Sequence, residues 1–469
     1  MNVIDDLTKA NLHEGLGDKR PETILTIGAF DGVHRGHQAL IGQVVARARA
    51  TNRRSVVLTF HPHPAMVLAP ERAPRYLTTP GEKMALLEGL GVDLVVLHPF
   101  SQEVAATPAG EFMTTLAEHL QFRELWVGSD FALGRGREGT VPRLRDLGDR
   151  LGYRLFVLDP LQGRGGAVSS SRIRALLAEG RVEAASHLLG RYPSLSGEVV
   201  YGAQRGHTLG FPTANLEVRP ERAVPANGVY AVFAVLGKDR YPAVANVGVR
   251  PSFDNGHRTV ETHIFDFDQD IYGCDLVVEF VTRLRNERRF EDIDDLVSQI
   301  THDSETARRI LDAELHAPRS KQPAAGSWRR TGVPCPYRYQ EIEHTADRAL
   351  RIWGRELPDL FTGAARGMYS LMADLDGLVT TDWLRVELEA LDGETLLVDW
   401  LNELLFLTET EGLLFVECII ESLQDDKLVA RAGGIRAPLT KAHIKAATFH
   451  NLALVQDSTG WSVVLTFDV

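Results

Sequence analysis

Through the first 190 residues, compact apolar runs alternate with stretches whose apolar positions recur at helical spacing. The runs at 23–27, 55–60, 94–97, 124–127 and 154–158 are short and rich in Val, Ile, Leu and Phe, which predicts strands. Helical patterns at 38–50, 82–90, 111–119 and 171–178 lie between them, the last preceded by serines and followed by Gly180. This alternation predicts a parallel sheet covered on both faces, with ligands at the carboxyl ends of its strands, where Gly28, Phe60 and Gly128 fall. Beyond residue 195 the pattern shortens to strands at 198–201, 229–236, 242–247, 259–267 and 276–281, then a helix at 291–315. Close spacing of short strands predicts a small antiparallel barrel with a C-terminal helix.

A stretch rich in Pro, Gly, Ser and basic residues, 317–336, reads as a linker; as a flexible coil it spans roughly 25 Å and tethers without fixing geometry. The last region mixes strands at 338–343, 349–353 and 384–390 with helices at 356–372 and 394–409. It ends in a hairpin of 444–455 with 461–469 around Asp457-Ser458-Thr459-Gly460, an α+β pattern with its own core. The chain is therefore expected to be multidomain: 1–190, 191–316, a linker 317–336, and 337–469.

Composition narrows the setting. Cys274, Cys335 and Cys418 are too few and too scattered for a disulfide framework or a cysteine zinc site, and suit a reducing, cytoplasmic compartment. No apolar run approaches the ~20 residues of a membrane span, and no basic-then-apolar leader opens the chain. The net charge of −12 is concentrated: 337–469 holds 11 Lys and Arg against 22 Asp and Glu. Such a domain is a poor direct binder of nucleic-acid phosphates.

The chemistry begins at Gly28-Ala29-Phe30-Asp31-Gly32-Val33-His34-Arg35-Gly36-His37, where a strand breaks into glycines and two histidines before a helix. Glycines let backbone approach phosphate closely, a helix N-terminus offers free N–H groups, and imidazoles that are positive near neutral pH can donate to a polyphosphate. Thr59-Phe60-His61-Pro62-His63-Pro64 and Gly128-Ser129-Asp130-Phe131-Ala132-Leu133-Gly134 follow two other strands. Ser169-Ser170-Ser171-Arg172-Ile173-Arg174 opens the last helix of the region, where Arg174 and the hydroxyls suit departing pyrophosphate. Attack on an α-phosphate needs positioning and charge neutralisation more than a covalent nucleophile.

On these motifs the region resembles the FMN adenylyltransferase module of bacterial bifunctional riboflavin kinase/FAD synthetases, a likeness extending to about His316. The resemblance implies a Rossmann-like nucleotidyltransferase in which His34, His37 and Arg174 act on ATP. Gly28, Phe30, Asp31, Gly32, Gly36, His63, Asp130, Ser169, Ser170 and Ser171 then line the nucleotide. Leu133 stands where the family usually has an aromatic, and Ser171 where it usually has Thr.

A second constellation follows in Arg205-Gly206-His207-Thr208-Leu209-Gly210-Phe211-Pro212-Thr213-Ala214-Asn215. Its glycines present N–H groups to a polyphosphate, and Thr213 and Asn215 offer hard oxygens to Mg²⁺; the G-K-[ST] of a Walker loop is missing. Glu261, in Val260-Glu261-Thr262-His263, is a candidate base for an alcohol. These stretches resemble the riboflavin kinase module. That likeness implies a six-stranded barrel, ATP held by Gly206, Thr208, Gly210, Pro212, Thr213 and Asn215, and Glu261 as base. It also implies flavin contacts at Asn246, Gly248, Arg250 and Arg285, with His207 replacing a frequent arginine. The expected reactions are phosphorylation of riboflavin to FMN and adenylylation of FMN to FAD. The alternatives are another adenylyl- or cytidylyltransferase, or a flavin-binding regulator with decayed catalysis; riboflavin turnover with Mg-ATP separates them.

In the acidic region, Glu343-His344-Thr345-Ala346-Asp347 and the final Thr466-Phe467-Asp468-Val469 offer oxygen ligands for Ca²⁺, Mg²⁺ or Mn²⁺ at Asp347, Asp468 and the terminal carboxylate of Val469. With 399–405 (DWLNELL) and 444–450 (IKAATFH) added, the region resembles archease. That resemblance implies an accessory protein supporting guanylylation of a tRNA-splicing type RNA ligase, a protein partner encoded elsewhere. Arg348-Ala349 departs from the small or apolar residues typical after H-T-A-D.

Overall fold

The computed structural model describes all residues except 5–6, 8–21, 164, 201–209, 250–257, 289, 291, 317–336, 343–347, 374, 376–377, 379, 425–426, 437–439, 450–451 and 458–459. Three domains follow one another: a parallel α/β sheet, a closed barrel and an α+β domain.

The first sheet contains β1 (Asn2–Ile4), β2 (Thr23–Ile27), β3 (Arg54–His61), β4 (Leu94–Pro99), β5 (Phe122–Gly128) and β6 (Arg154–Leu158). Their order is β1-β4-β3-β2-β5-β6 and every pairing is parallel. Burial on both faces explains the unbroken apolar runs, with Leu25, Val56, Val57 and Leu125 fully enclosed. Helices α1 (Arg35–Ala50), α2 (Pro80–Gly89), α3 (Ala109–Leu120) and α4 (Val141–Leu151) connect the strands. After them come α5 (Ser170–Ala178) and an unexpected α6 (Val182–Leu189), whose Val182, Ala185, Leu188 and Leu189 are buried. Strand β1, too short for a periodicity, was also not expected.

The barrel closes as β7 (Ser194–Val200), β8 (Ala214–Leu216), β11 (Arg258–Ile264), β10 (Asp239–Val249), β9 (Gly228–Leu236) and β12 (Asp275–Arg285), all antiparallel. Its β8 comes from the stretch read only as a phosphate loop. Helix α7 (Ile293–His316) packs outside it through Ala307 and Leu311. Leu176, Leu177, Val182 and Leu188 of α5 and α6 share one apolar core with Leu195, Val260 and Phe280, so the first two domains are welded rather than strung together.

The third domain sets β13 (Tyr337–Ile342), β14 (Arg348–Gly354), β18 (Ala446–Thr448), β19 (Val455–Asp457) and β20 (Gly460–Asp468) in one sheet. A second sheet contains β15 (Asp382–Glu389), β16 (Leu414–Leu423) and β17 (Lys427–Ile435). Helices α8 (Leu357–Met372) and α9 (Gly393–Glu411) bury Phe361, Met368, Tyr369, Trp400 and Leu404 in its core. The expected strand 444–455 is in fact two short strands, both paired with β20. Asn402 holds the first by exchanging hydrogen bonds with Ala447 N and O, at 2.8 and 3.3 Å. Strands β16 and β17 were not expected; bulges at Phe415/Glu417 and Ile420/Ser422 break the alternation of β16.

Two further expectations are corrected. The tether does not leave the third domain independent: Tyr339 Oη donates to Glu198 Oε2 at 2.8 Å, and Arg366 Nη2 lies 3.3 Å from Asp275 Oδ1. Linker composition carries no information about the surfaces on either side of it. The cysteines, read as too scattered for a disulfide framework, include a disulfide-bonded Cys274, because the fold sets the distance between residues far apart in sequence, while Cys418 is free. Among the described residues no helix is long and apolar enough to cross a membrane.

Candidate active sites

The loop between β2 and α1 is held in backbone conformations that its residues rarely adopt. Phe30 has φ +47° and Val33, β-branched, has φ +37°. Such conformations persist only where surroundings over-determine them. Gly32 combines φ +79° with no room for a Cβ, which would stand 2.8 Å from Leu77 Cδ1. Its carbonyl takes Arg191 Nη2 at 2.8 Å, and the Val33 carbonyl takes Gln38 Nε2 at 2.8 Å.

This loop delivers His34 and His37 as a stacked pair, centroids 3.6 Å apart and planes 17° apart. His34 caps α1: its Nδ1 accepts from His37 N at 3.3 Å, which assigns the ring proton to Nε2. The Nδ1 of His37 is buried without a hydrogen-bond partner. Burial pushes His34 down to about 4, against the pull of Asp31, and holds His37 well below its usual value, with His34 and Lys83 adding to the effect. The expected positive imidazoles are thus neutral donors in the free protein, because burial outweighs the nearby carboxylate.

Asp31 is buried and accepts from Leu77 N at 3.0 Å and Thr78 N at 3.1 Å. Arg174, from α5, closes on it at 2.5 Å and donates through Nε to Arg75 O at 2.6 Å. Asp31 therefore holds Arg174 and the 75–78 segment. Ser169 caps α5 by accepting from Arg172 N at 3.3 Å, Ser170 Oγ donates to Asp31 O at 2.9 Å, and Ser171 is exposed. The N-terminus of α5 and the loop bearing the histidines thus meet. His63 caps the short helix Pro64–Leu68 and gives its N–H to Tyr76 Oη at 2.8 Å. Gly28 lies under the Phe30 ring, 2.9 Å from where its Cβ would be, Gly36 beside His34, and Asp130 is exposed on the loop after β5.

Sequence reasoning missed Lys83. It is 5% exposed, and its Nζ donates to Ala29 O at 2.9 Å and Thr59 Oγ1 at 3.2 Å, directly under the histidine loop. Burial pushes this ammonium down to about 8, opposed by Asp31. The available signal was its place on the Met84/Leu87 side of α2, the buried side. Also missed was an aromatic group at the ends of β3 and β4, where Phe60 lies 5.4 Å from Phe100 and 6.4 Å from His98 between ring centroids.

On the barrel, Asn215, Glu261 and Asn246 stand directly opposite one another across β8, β11 and β10. Val260, Ala245 and Val247 fill the core, so strand alternation turns this polar row to the opposite face. His263, two residues along, contacts Pro212 O through Nδ1 at 2.8 Å and fixes the approach to Thr213, while Gly210 has φ +82°. Glu287 Oε1 lies 2.8 Å from where a Gly248 Cβ would stand. Arg285 is bound by Asp303 of α7 at 2.8 Å. Gly206, Thr208 and Arg250 lie outside the described residues, as does Asp347.

In the third domain Arg348 pairs with Phe467, the residue before Asp468. Lys445 meets the chain terminus, its N donating to Asp468 O at 2.8 Å and its Nζ to Val469 O at 3.0 Å. Among the described residues no cluster of three metal-ligating side chains forms.

Comparison with known proteins agrees with this division. The FAD synthetase family model matches residues 17–172, that for riboflavin kinase 189–311, and that for the archease protein family 339–469. The bifunctional riboflavin kinase/FMN adenylyltransferase of Escherichia coli K12 is 39% identical over 290 residues, 61% of this chain and 92% of the relative. That of Bacillus subtilis 168 is 34% identical over 304 residues, 64% of this chain and 96% of the relative. A crystal structure described as a macrolide-efflux protein from Streptococcus pneumoniae superposes with a TM-score of 0.59 at 32% identity, over 65% of this chain and 98% of that one.

Proposed function

Because this chain belongs to the bifunctional riboflavin kinase/FMN adenylyltransferases, and therefore makes FMN from riboflavin and FAD from FMN, we propose how its residues divide the two reactions. The stacked His34/His37 pair, with a buried unpartnered Nδ1 and with Arg174 held nearby on Asp31, carries the assignment of adenylyl transfer to the β2–α1 loop.

There an FMN phosphate oxygen attacks the α-phosphorus of ATP; that P–O bond forms as the α–β bridge breaks, and pyrophosphate leaves with the electron pair. His34 donates through Nε2 to the charge that develops on the α-phosphate, and Arg174 with the α5 N-terminus takes the leaving group. Lys83 neutralises charge from beneath the loop. The aromatic group around Phe60 and Phe100 offers a stacking surface for the flavin ring. Replacing His34 and His37 together by Ala tests this: FAD formation stops while FMN still accumulates from riboflavin, whereas retained FAD formation refutes the assignment.

At the barrel, the ribityl 5′-hydroxyl attacks the γ-phosphorus, Glu261 accepts its proton, and ADP departs. The Thr213 hydroxyl and Asn215 carboxamide are hard oxygens and fit Mg²⁺, which would supply charge neutralisation on ATP.

The third domain acts on a protein in this reading. Its acidic surface disfavours RNA, and Asp347, Asp468 and the Val469 carboxylate supply oxygens for a divalent cation. Its role is support of guanylylation of an RNA ligase. The test is ligase guanylylation at limiting GTP and metal, with the full chain and with its Asp347→Ala form. No stimulation by the unaltered chain, or full stimulation by the variant, refutes it.

A further inference from the structure

Neighbouring residues in the first turn of α2 reach into different domains. Lys83 goes inward, to Ala29 and Thr59 beneath the histidine loop. Glu82 goes to the barrel domain, accepting from Arg222 Nη1 at 2.6 Å, Arg222 Nη2 at 3.1 Å and Ser196 Oγ at 2.7 Å. It also closes the capping box of α2 by accepting from Thr79 N at 2.8 Å. Arg222 and Glu82 are each 2% exposed, and Arg222 Nη2 is held further by Ser194 O at 3.1 Å; its Nε has no partner.

The backbone repeats the link. Tyr76 N donates to Glu221 O at 2.7 Å, and Ala223 N donates to Tyr76 O at 2.8 Å, straddling Arg222. The segment so gripped is the one that gives Leu77 and Thr78 N–H groups to Asp31, and whose Tyr76 hydroxyl accepts from His63 N. One barrel residue thus sits behind three parts of the other domain's site: Lys83, Asp31 with Arg174, and His63.

A desolvated ion pair is an inefficient source of stability, since the cost of removing two charges from water offsets most of their attraction. What it provides is geometry. A forked guanidinium facing a carboxylate with further donors has one good arrangement, and a drift of about 1 Å in reacting groups can cost about a hundredfold in rate.

We propose that Arg222, outside the kinase row of Asn215, Glu261 and Asn246, is a positioning residue for adenylyl transfer: by seating Glu82 it fixes the first turn of α2 and so the place of Lys83 under the histidine loop. The proposal rests on that loop being the phosphate site.

The test uses the full chain, with Arg222→Met, Lys83→Met and both together, assayed separately for riboflavin phosphorylation and for FAD formation from FMN. Arg222→Met lowers kcat for FAD formation about tenfold or more, leaves KM for ATP within about threefold, and leaves riboflavin phosphorylation within about twofold. Because Arg222 acts through Lys83, the double variant is no slower than Lys83→Met alone. Unchanged FAD formation in Arg222→Met, losses that multiply in the double variant, or a parallel fall in both reactions overturns the proposal. Kinase activity in the same preparation reports folding. Should Arg222→Met fail to fold, Arg222→Lys retains the charge but not the fork; it shows the same selective loss in smaller measure, and full FAD formation there overturns the proposal. FAD formation surviving His34→Ala with His37→Ala removes the premise itself; loss there with Arg222→Met unaffected removes only the coupling.

Discussion

The guanidinium of Arg174 lies 2.5 Å from the carboxylate of Asp31, so the cation proposed to meet a leaving pyrophosphate is held on a buried anion. Asp31 is buried, and without Arg174 its charge would be left to hydrogen bonds from Leu77 and Thr78 and to the pull of the Lys83 ammonium. Arg174→Ala should therefore do two things: stop FAD formation with FMN accumulating, and destabilise the first domain by about 3 kcal/mol. Arg174→Lys should recover most of the stability and little of the rate, because one ammonium cannot reproduce the fork that reaches Asp31 through Nη2 and the Arg75 carbonyl through Nε and still leaves an N–H free. Urea unfolding beside product analysis checks both.

Lys83 sets an alkaline limit. Its ammonium is pushed down to about 8 by burial, so the neutral amine accumulates as pH rises through that value. If the positive form serves the reaction, kcat/KM for ATP in FAD formation falls about tenfold per pH unit above 8, since this ratio reports the free enzyme. Lys83→Met should lower the rate throughout and abolish that limb, and riboflavin phosphorylation should show no limb assignable to Lys83. An unchanged limb in the variant contradicts the role.

His34 makes the opposite demand in acid. It is held neutral down to about 4, whereas an imidazole in the unfolded chain protonates near 6.5. Between those values the unfolded chain binds the extra proton, so folding stability falls as pH drops, by up to about 3 kcal/mol, and is unaffected above about 7. His34→Gln should make the acid-side pH dependence of the first domain's urea midpoint shallower, the remainder coming from His37, His61 and His63, which burial also holds down.

The third domain grips the barrel through Tyr339 and Arg366, at Glu198 of β7 and Asp275 of β12, whereas Asn215, Glu261 and Asn246 lie on β8, β11 and β10. Removing residues 317–469 should leave both flavin reactions within about twofold. Tyr339→Phe should loosen the docking by about 1.5–3 kcal/mol, the worth of a hydrogen bond to a charged group. Cleavage rates at the linker under limited proteolysis read the second effect, and flavin turnover the first.

Much of this was legible in the sequence because local signals and tertiary demands agreed. Parallel strands buried on both faces read as apolar runs, and the loop holding His34 and His37 announces itself through its glycines. What stayed hidden depends on contacts between distant segments. Lys83 and Arg222 look like ordinary surface cations until α2 is pressed between two domains. Asp31 reads as part of a phosphate loop, and only the fold reveals that its charge faces Arg174. The row of Asn215, Glu261 and Asn246 exists through strand register, which composition does not encode. Strand β16 was lost because bulges displace its alternation.

Two separate phosphate-binding constellations are proposed to perform the two reactions. The most direct measurement supplies riboflavin and ATP, or FMN and ATP, to Glu261→Gln and to the His34→Ala with His37→Ala variant, and separates riboflavin, FMN and FAD chromatographically. Glu261→Gln should leave riboflavin unconverted yet turn FMN into FAD, and the histidine variant should accumulate FMN and make no FAD. Either variant silencing both reactions in folded protein, or neither reaction responding, would contradict it.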